Sequence, residues 1–353
     1  MNPQKVVMSQ NLEEALTAAV ATCEKDRIFI LTDETTQQLC LPLVEGFACL
    51  KGAQHITIGA TDTHKTLDSL SHVWEALGEG GATRHSLLIN IGGGMVTDLG
   101  GFAASTFKRG INYINIPTTL LSMVDASVGG KTGINFRGLK NEIGVFNNAE
   151  TVILDTQFLK TLDTENILSG YAEMLKHGLI DSEAHWAELM NLSLDNLGSF
   201  ETLGNLARLL EKSVAVKQRI VTEDPTEQGI RKALNLGHTV GHAFESFALS
   251  KQPILHGYAV AYGLVCELYL SAIKTGFPTD KMHQTVNFIH EHYGRMNITC
   301  DDYPQLLELM THDKKNVAGV INFTLLGGIG DIRINQHATK DEIYEALDFY
   351  REG

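Results

Sequence analysis

Apolar positions in the first half of the chain fall into short, nearly unbroken runs separated by polar and glycine-rich punctuation. Arg27–Leu31, His55–Ile58, Ser86–Ile91, Tyr113–Ile116 and Val152–Leu154 are each short, rich in β-branched residues, and end at Asp, Gly, Pro or Thr. Runs of that length and composition read as strands buried on both faces. Between them, apolar residues recur at helical spacing, for example over Thr66–Leu77 and Thr97–Phe107. The alternation predicts an α/β fold with a Rossmann-like, mostly parallel sheet wrapped by helices.

The pattern changes near Asp155–Asp163. From there to about residue 312 the apolar spacing is almost wholly helical, over Glu165–Leu179, Glu183–Met190, Phe200–Ile220, Thr239–Phe247, Tyr258–Thr275 and Asp280–Tyr293. Two short strands follow, Asn322–Leu325 and Asp331–Ile334, around a glycine-rich turn, and a last helix runs from about Lys340 to Tyr350. The expected organisation is a nucleotide-binding-type α/β domain over 1–158 and a mainly α-helical domain over 159–353, with a ligand cleft between them.

Composition narrows the functional classes. A length of 353 residues suits two domains. The formal net charge of −14 argues against a nucleic-acid or anionic-membrane partner, so any anion would need a locally basic pocket. The five cysteines form no CxxC pair and read as reduced thiols. No signal-peptide pattern and no run near the ~20 apolar residues of a membrane span is present, so a cytoplasmic location is expected.

Three stretches carry candidate chemistry. The strand Ser86–Ile91 runs into Gly92-Gly93-Gly94-Met95-Val96-Thr97-Asp98. Glycines there let a helix starting near Val96 present its free N–H groups to a pyrophosphate, although a plain strand-to-helix turn fits equally well. Asp33, after the first strand, reads either as a ribose acceptor or as a helix cap. Lys108, Arg109, Lys131, Arg137 and Lys140 cluster in a glycine-rich region read as loop, which favours an anion site over solvated charges. Glu173 and Lys176 share a helix face, and His238, His242 and His256 lie within nineteen residues. One carboxylate with two or three imidazoles suits zinc; the i, i+4 spacing alone selects His238 and His242 and leaves His256 open.

Assembled in order, GGGMVTDLGGFAAS, RGINYINIPTTLLSMVDASVGGKTGIN, GLKNEIG, FLKTL, GYAEMLKHG, LNLGHTVGHAFE, LHGYAVAYG and DKKN resemble the 3-dehydroquinate synthase family over about Arg27 to Ile334. The resemblance implies that Glu173, His238 and His256 hold a divalent metal, zinc or cobalt, and moves His242 to the substrate. It implies catalytic or substrate roles for Asp125, Lys131, Asn141, Lys176, Arg231, His242 and Lys315, the last chosen over Lys314. Arg109 would reach the phosphate site of a neighbouring subunit, which implies a homodimer. The implied NAD contacts are Asp33, Asp62, Lys65, Gly93, Gly94, Asp98, Thr118, Thr119, Leu121, Lys140 and Thr161. Two departures stand out. Asp62 replaces a commoner Glu, and Arg137-Gly138-Leu139 replaces a Pro-Leu-Gly run before the retained Lys140-Asn141.

The implied reaction converts 3-deoxy-D-arabino-heptulosonate 7-phosphate to 3-dehydroquinate and phosphate, a step of aromatic amino-acid biosynthesis. Transient oxidation by NAD acidifies a neighbouring carbon, phosphate leaves by β-elimination, the hydride returns, and the opened ring closes by an aldol step. The rival readings are another sugar-phosphate cyclase, a metal-dependent polyol dehydrogenase of related fold, and an inactive NAD-binding module. The cationic residues argue against the dehydrogenase, and the intact metal and phosphate sets argue against the module.

Overall fold

The computed structural model describes residues 4–137, 139–194, 200–249, 251–311 and 321–353. The chain forms two compact units, Met1–Asp163 and Thr164–Gly353.

The first unit is a six-stranded parallel sheet. Its elements in chain order are β1 (Lys5–Met8), α1 (Leu12–Thr22), β2 (Ile28–Asp33), α2 (Glu34–Leu39), β3 (Gln54–Ile58), α3 (Leu67–Glu79), β4 (Leu87–Gly92), α4 (Gly94–Thr106), β5 (Asn112–Pro117), β6 (Lys131–Phe136), β7 (Leu139–Phe146) and β8 (Thr151–Leu154). The sheet order is β1-β8-β5-β4-β2-β3, all pairs parallel. Leu31, Leu88, Ile89, Ile114 and Ile153 are essentially inaccessible, as unbroken apolar runs require when helices cover both faces. The chain steps outward from β2 to β3, then returns to place β4 on the other side of β2. That reversal is a topological switch at β2 and β4, the place where open parallel sheets bind ligands beyond the carboxyl ends of their strands.

Three details differ from the sequence reading. The edge strand β1 and helix α1 were not expected; β1 is short and pairs only with β8. Helix α4 starts at Gly94, with Gly93 extended at its cap, two residues before the expected start near Val96. The region read as a glycine-rich loop is an antiparallel hairpin, β6 against β7, with Gly133 opposite Gly144. Glycines on facing strands allow close backbone approach, so there they mark a ladder and not a loop.

The second unit packs α5 (Thr164–Asp181), α6 (Glu183–Met190), α7 (Phe200–Glu223), α8 (His238–Ala248), α9 (His256–Thr275), α10 (Thr279–Tyr293) and α11 (Tyr303–Thr311) with the hairpin β9 (Asn322–Gly328) and β10 (Asp331–His337), and ends in α12 (Lys340–Glu352). Helix α9 is the centre: Ala259 to Leu268 is buried throughout, and α5, α8, α10, α12 and β9 all pack on it. A helix buried on every side must be a central one. No helix among the described residues is long and apolar enough to cross a membrane.

Candidate active site

Helix α5 is buried from Ile167 to Ile180, yet it carries Glu173 and Lys176 on its inner face. A carboxylate and an ammonium survive there only if paired. The Lys176 ammonium donates to Glu173 Oε2, which leaves Oε1 facing the interior of the unit.

Two histidines meet that oxygen, and each is the first residue of a helix. Gly237, at φ +80°, turns the chain into α8 through the left-handed region that favours glycine, and His238 follows. His256 opens α9 after an extended Leu255. The next residue, Gly257, lets α9 settle on α5. A Cβ at Gly257 would stand 1.8 Å from the Ser169 carbonyl oxygen, and the Gly257 N–H donates to Ser169 Oγ at 3.1 Å.

The resulting geometry converges on one point. Glu173 Oε1 is 3.3 Å from His238 Nε2 and 3.4 Å from His256 Nε2, and the three candidate ligand atoms lie within 4.8 Å of one another. Despite these distances, Oε1 receives no well-formed hydrogen bond. The far ring nitrogens are already engaged. His238 Nδ1–H donates to the Leu236 carbonyl at 3.1 Å, and His256 Nδ1–H faces Glu245 Oε2 at 3.3 Å. Both Nε2 atoms are therefore turned inward, as metal-binding imidazoles are. Burial alone would raise the Glu173 carboxyl, but Lys176 and the His238 imidazole hold it well below its ordinary range. Burial pushes His238 down to about 4, keeping it neutral. Burial opposes charge on His256 too, yet Glu245 and Glu173 outweigh it and raise that group to about 10. One carboxylate oxygen without a hydrogen bond and two inward nitrogens make a donor set that fits a divalent cation.

His242 lies one turn along α8. Its ring centre is 5.3 Å from that of His238 and 5.9 Å from that of His256. The i, i+4 spacing of His238 and His242 thus gives neighbouring rings, but the group converging on Glu173 is His238 with His256. Arg231 is deeply buried, with its guanidinium donating to the Pro225 carbonyl at 2.7 Å and its backbone N–H to Asp224. Lys314 and Lys315 lie outside the described residues.

In the first unit, the cofactor candidates gather past the C-terminal ends of the strands. Asp33 ends β2, Asp62 and Lys65 follow β3, Gly93, Gly94 and Asp98 follow β4, Thr118, Thr119 and Leu121 follow β5, and Thr161 follows β8. Of the two sequence readings of Asp33, the helix cap is observed: its side chain accepts the Thr36 N–H at 2.8 Å at the start of α2. Lys65 is buried and bonds Asp98 at 2.5 Å and the Asn141 side chain. Asp98 is raised by burial, with Lys65 opposing. Asp62 accepts from Asn135 and faces Lys140 at 3.7 Å. Lys131 opens β6 and is exposed, and Asp125 sits in a π-helical turn, Ser122–Ala126. Lys108 and Arg109 stand on consecutive left-handed residues, φ 48° and 70°, strained positions for non-glycine residues.

Sequence reasoning missed Glu245 and Glu267. Each is a buried carboxylate inside an apolar helical run, His-Ala-Phe-Glu-Ser-Phe-Ala and Val-Cys-Glu-Leu-Tyr-Leu. A lone acid in such a run was the available signal, since buried charges are rare without a partner.

Family models for the 3-dehydroquinate synthase N-terminal and C-terminal parts match residues 55–169 and 170–316. A 3-dehydroquinate synthase of Parabacteroides distasonis is 55% identical, covering 100% of this chain and 99% of that protein. Another, of Pyrococcus furiosus, is 41% identical over 88% of this chain and 89% of its own length. Among solved structures, a 2-epi-5-epi-valiolone synthase of Streptomyces hygroscopicus, with NAD+ and Zn2+ bound, superposes with a TM-score of 0.87 at 25% identity, covering 99% of this chain and 97% of its own. A glycerol dehydrogenase structure from Schizosaccharomyces pombe shares the fold, with a TM-score of 0.69 at 14% identity over 99% of this chain and 89% of its own. With both family models spanning most of the chain and full-length relatives at such identity, the chain belongs to the 3-dehydroquinate synthase family of enzymes.

Proposed function

We propose that this chain converts 3-deoxy-D-arabino-heptulosonate 7-phosphate to 3-dehydroquinate and phosphate, with no net oxidation, as a cytoplasmic homodimer. Glu173, His238 and His256 would hold a divalent metal, zinc or cobalt. The switch point at the ends of β2 and β4, with Asp33, Asp62, Lys65, Gly93, Gly94, Asp98, Thr118, Thr119, Leu121, Lys140 and Thr161, would hold NAD. When bound, the metal supplies Lewis acidity toward substrate hydroxyls and NAD takes and returns one hydride.

The chain's own residues do the rest. Lys176 ties down Glu173 Oε2, so that carboxylate offers one oxygen and keeps a fixed orientation. His242, its ring 5.3 Å from that of His238 and 5.9 Å from that of His256, would hold a substrate hydroxyl or move its proton. The substrate is anionic at both ends, so Lys131, Arg231 and Lys315 would hold its carboxylate and phosphate, Asp125 and Asn141 would take substrate or catalytic roles, and Arg109 would reach the partner's phosphate site.

The observation that carries this reading is Glu173 Oε1, buried, without a hydrogen bond and faced by two imidazole nitrogens. The test is phosphate release from the heptulosonate phosphate in the presence of NAD, before and after treatment with a chelator. Release that stops on chelation and returns with added zinc or cobalt supports the proposal. No release under any metal condition, with turnover on another phosphorylated sugar, would reassign the chain to a different cyclase.

A further inference from the structure

Behind the three converging side chains stand two more buried carboxylates, and their placement is reciprocal. Helix α8 begins at His238 and carries Glu245; helix α9 begins at His256 and carries Glu267. Glu245 Oε2, on α8, faces His256 Nδ1 at 3.3 Å. Glu267, on α9, accepts the Gly237 N–H at 2.6 Å and the Val240 N–H at 3.1 Å, both in the turn that starts α8. Each helix therefore supplies one histidine at its first residue and one acid that fixes the start of the other.

We infer that Glu245 and Glu267 are positioning residues that aim the Nε2 atoms of His256 and His238 at Glu173. The inference rests on the metal reading above. Its physics is simple. An imidazole at the first residue of a helix has no preceding helical turn to restrain it, and the first N–H groups there have no partner within the helix. Glu267 takes two of those N–H groups, which fixes the turn whose Leu236 carbonyl receives His238 Nδ1–H. Glu245 can only accept, so it selects the His256 tautomer with hydrogen on Nδ1 and the lone pair on Nε2. Both acids are buried, Glu245 at 6% and Glu267 at 0% exposure, so neither is a solvated surface charge that happens to lie near.

The experiment measures zinc affinity of the intact metal-free chain by competition with a chromophoric chelator. Glu245→Ala is expected to weaken binding about 10- to 100-fold. Glu245→Gln keeps an oxygen acceptor for Nδ1–H and should recover most of that loss. Glu267→Gln should fall between them. Glu245→Ala binding zinc as tightly as the parent would overturn the inference, as would a Gln variant no better than Ala. If the Ala variant does not fold, nitrogen NMR of the zinc-loaded parent decides: the inference requires hydrogen on His256 Nδ1 and metal on Nε2, and the reverse tautomer refutes it. A parent chain that binds no zinc would instead bring down the metal reading itself.

Discussion

Replacing Gly257 with Ala tests how the site is built. The added Cβ would stand 1.8 Å from the Ser169 carbonyl oxygen, 2.4 Å from its carbon and 2.6 Å from Ser169 Cα. All three are backbone atoms, so no side chain can swing aside. Real Cβ contacts do not fall below 3.0 Å, so α9 must retreat from α5 by more than an ångström at its first turn. Overpacking of this kind costs about 2–3 kcal/mol. For a unit of this size that lowers Tm by roughly 4–12 °C. The retreat also carries His256 away from Glu173, now 3.4 Å apart. Metal–ligand distances tolerate about 0.2 Å, so zinc affinity should fall at least tenfold. Thermal unfolding with and without zinc, together with a chelator competition, reads both effects. A Gly257→Ala chain with the parent's Tm and zinc affinity would refute the close approach of α9 to α5 and the role given to it.

Three further outcomes follow from the same geometry. His256→Ala should lose its metal on dialysis while the parent retains it, by elemental analysis; full metal content in that variant would remove His256 from the ligand set. Lys131→Ala should lower kcat/KM for the heptulosonate phosphate about 10- to 100-fold, the worth of one charge-assisted hydrogen bond, while leaving NAD affinity near the parent's; loss of NAD binding would contradict the assignment. Burial disfavours a charged His256, but Glu245 and Glu173 keep it protonated up to about 10, whereas a metal needs the bare nitrogen. Zinc binding near neutral pH should therefore expel about one proton and tighten about tenfold per unit as pH rises. His238, held neutral down to about 4, adds nothing in that window. Calorimetry in buffers of different ionisation enthalpy counts the protons, and a count of zero would refute the argument.

The parallel sheet was legible because its strands are buried on both faces and so read as continuous apolar runs, as in Leu87–Gly92. The hairpin β6–β7 was not, because it is largely exposed on β7 and its facing glycines, Gly133 and Gly144, mimic loop composition. The same logic divides the site. Glu173 and Lys176 were visible as a charged pair on one helix face. His256 was not separable by spacing, since its approach to Glu173 depends on two helices meeting at Gly257, a contact 88 residues long in sequence. Glu245 and Glu267 act only through that same tertiary arrangement. A periodicity argument sees one helix at a time, and this site is made where α5, α8 and α9 converge.

In the proposed reaction the chain removes phosphate by a redox cycle that closes on itself. The most direct measurement follows phosphate, 3-dehydroquinate and NADH together in one reaction of the zinc-loaded chain with excess NAD and the heptulosonate phosphate. One phosphate and one 3-dehydroquinate per substrate consumed are expected, with no NADH accumulating beyond the enzyme concentration. NADH rising in step with substrate loss, with the phosphate still attached, would contradict it.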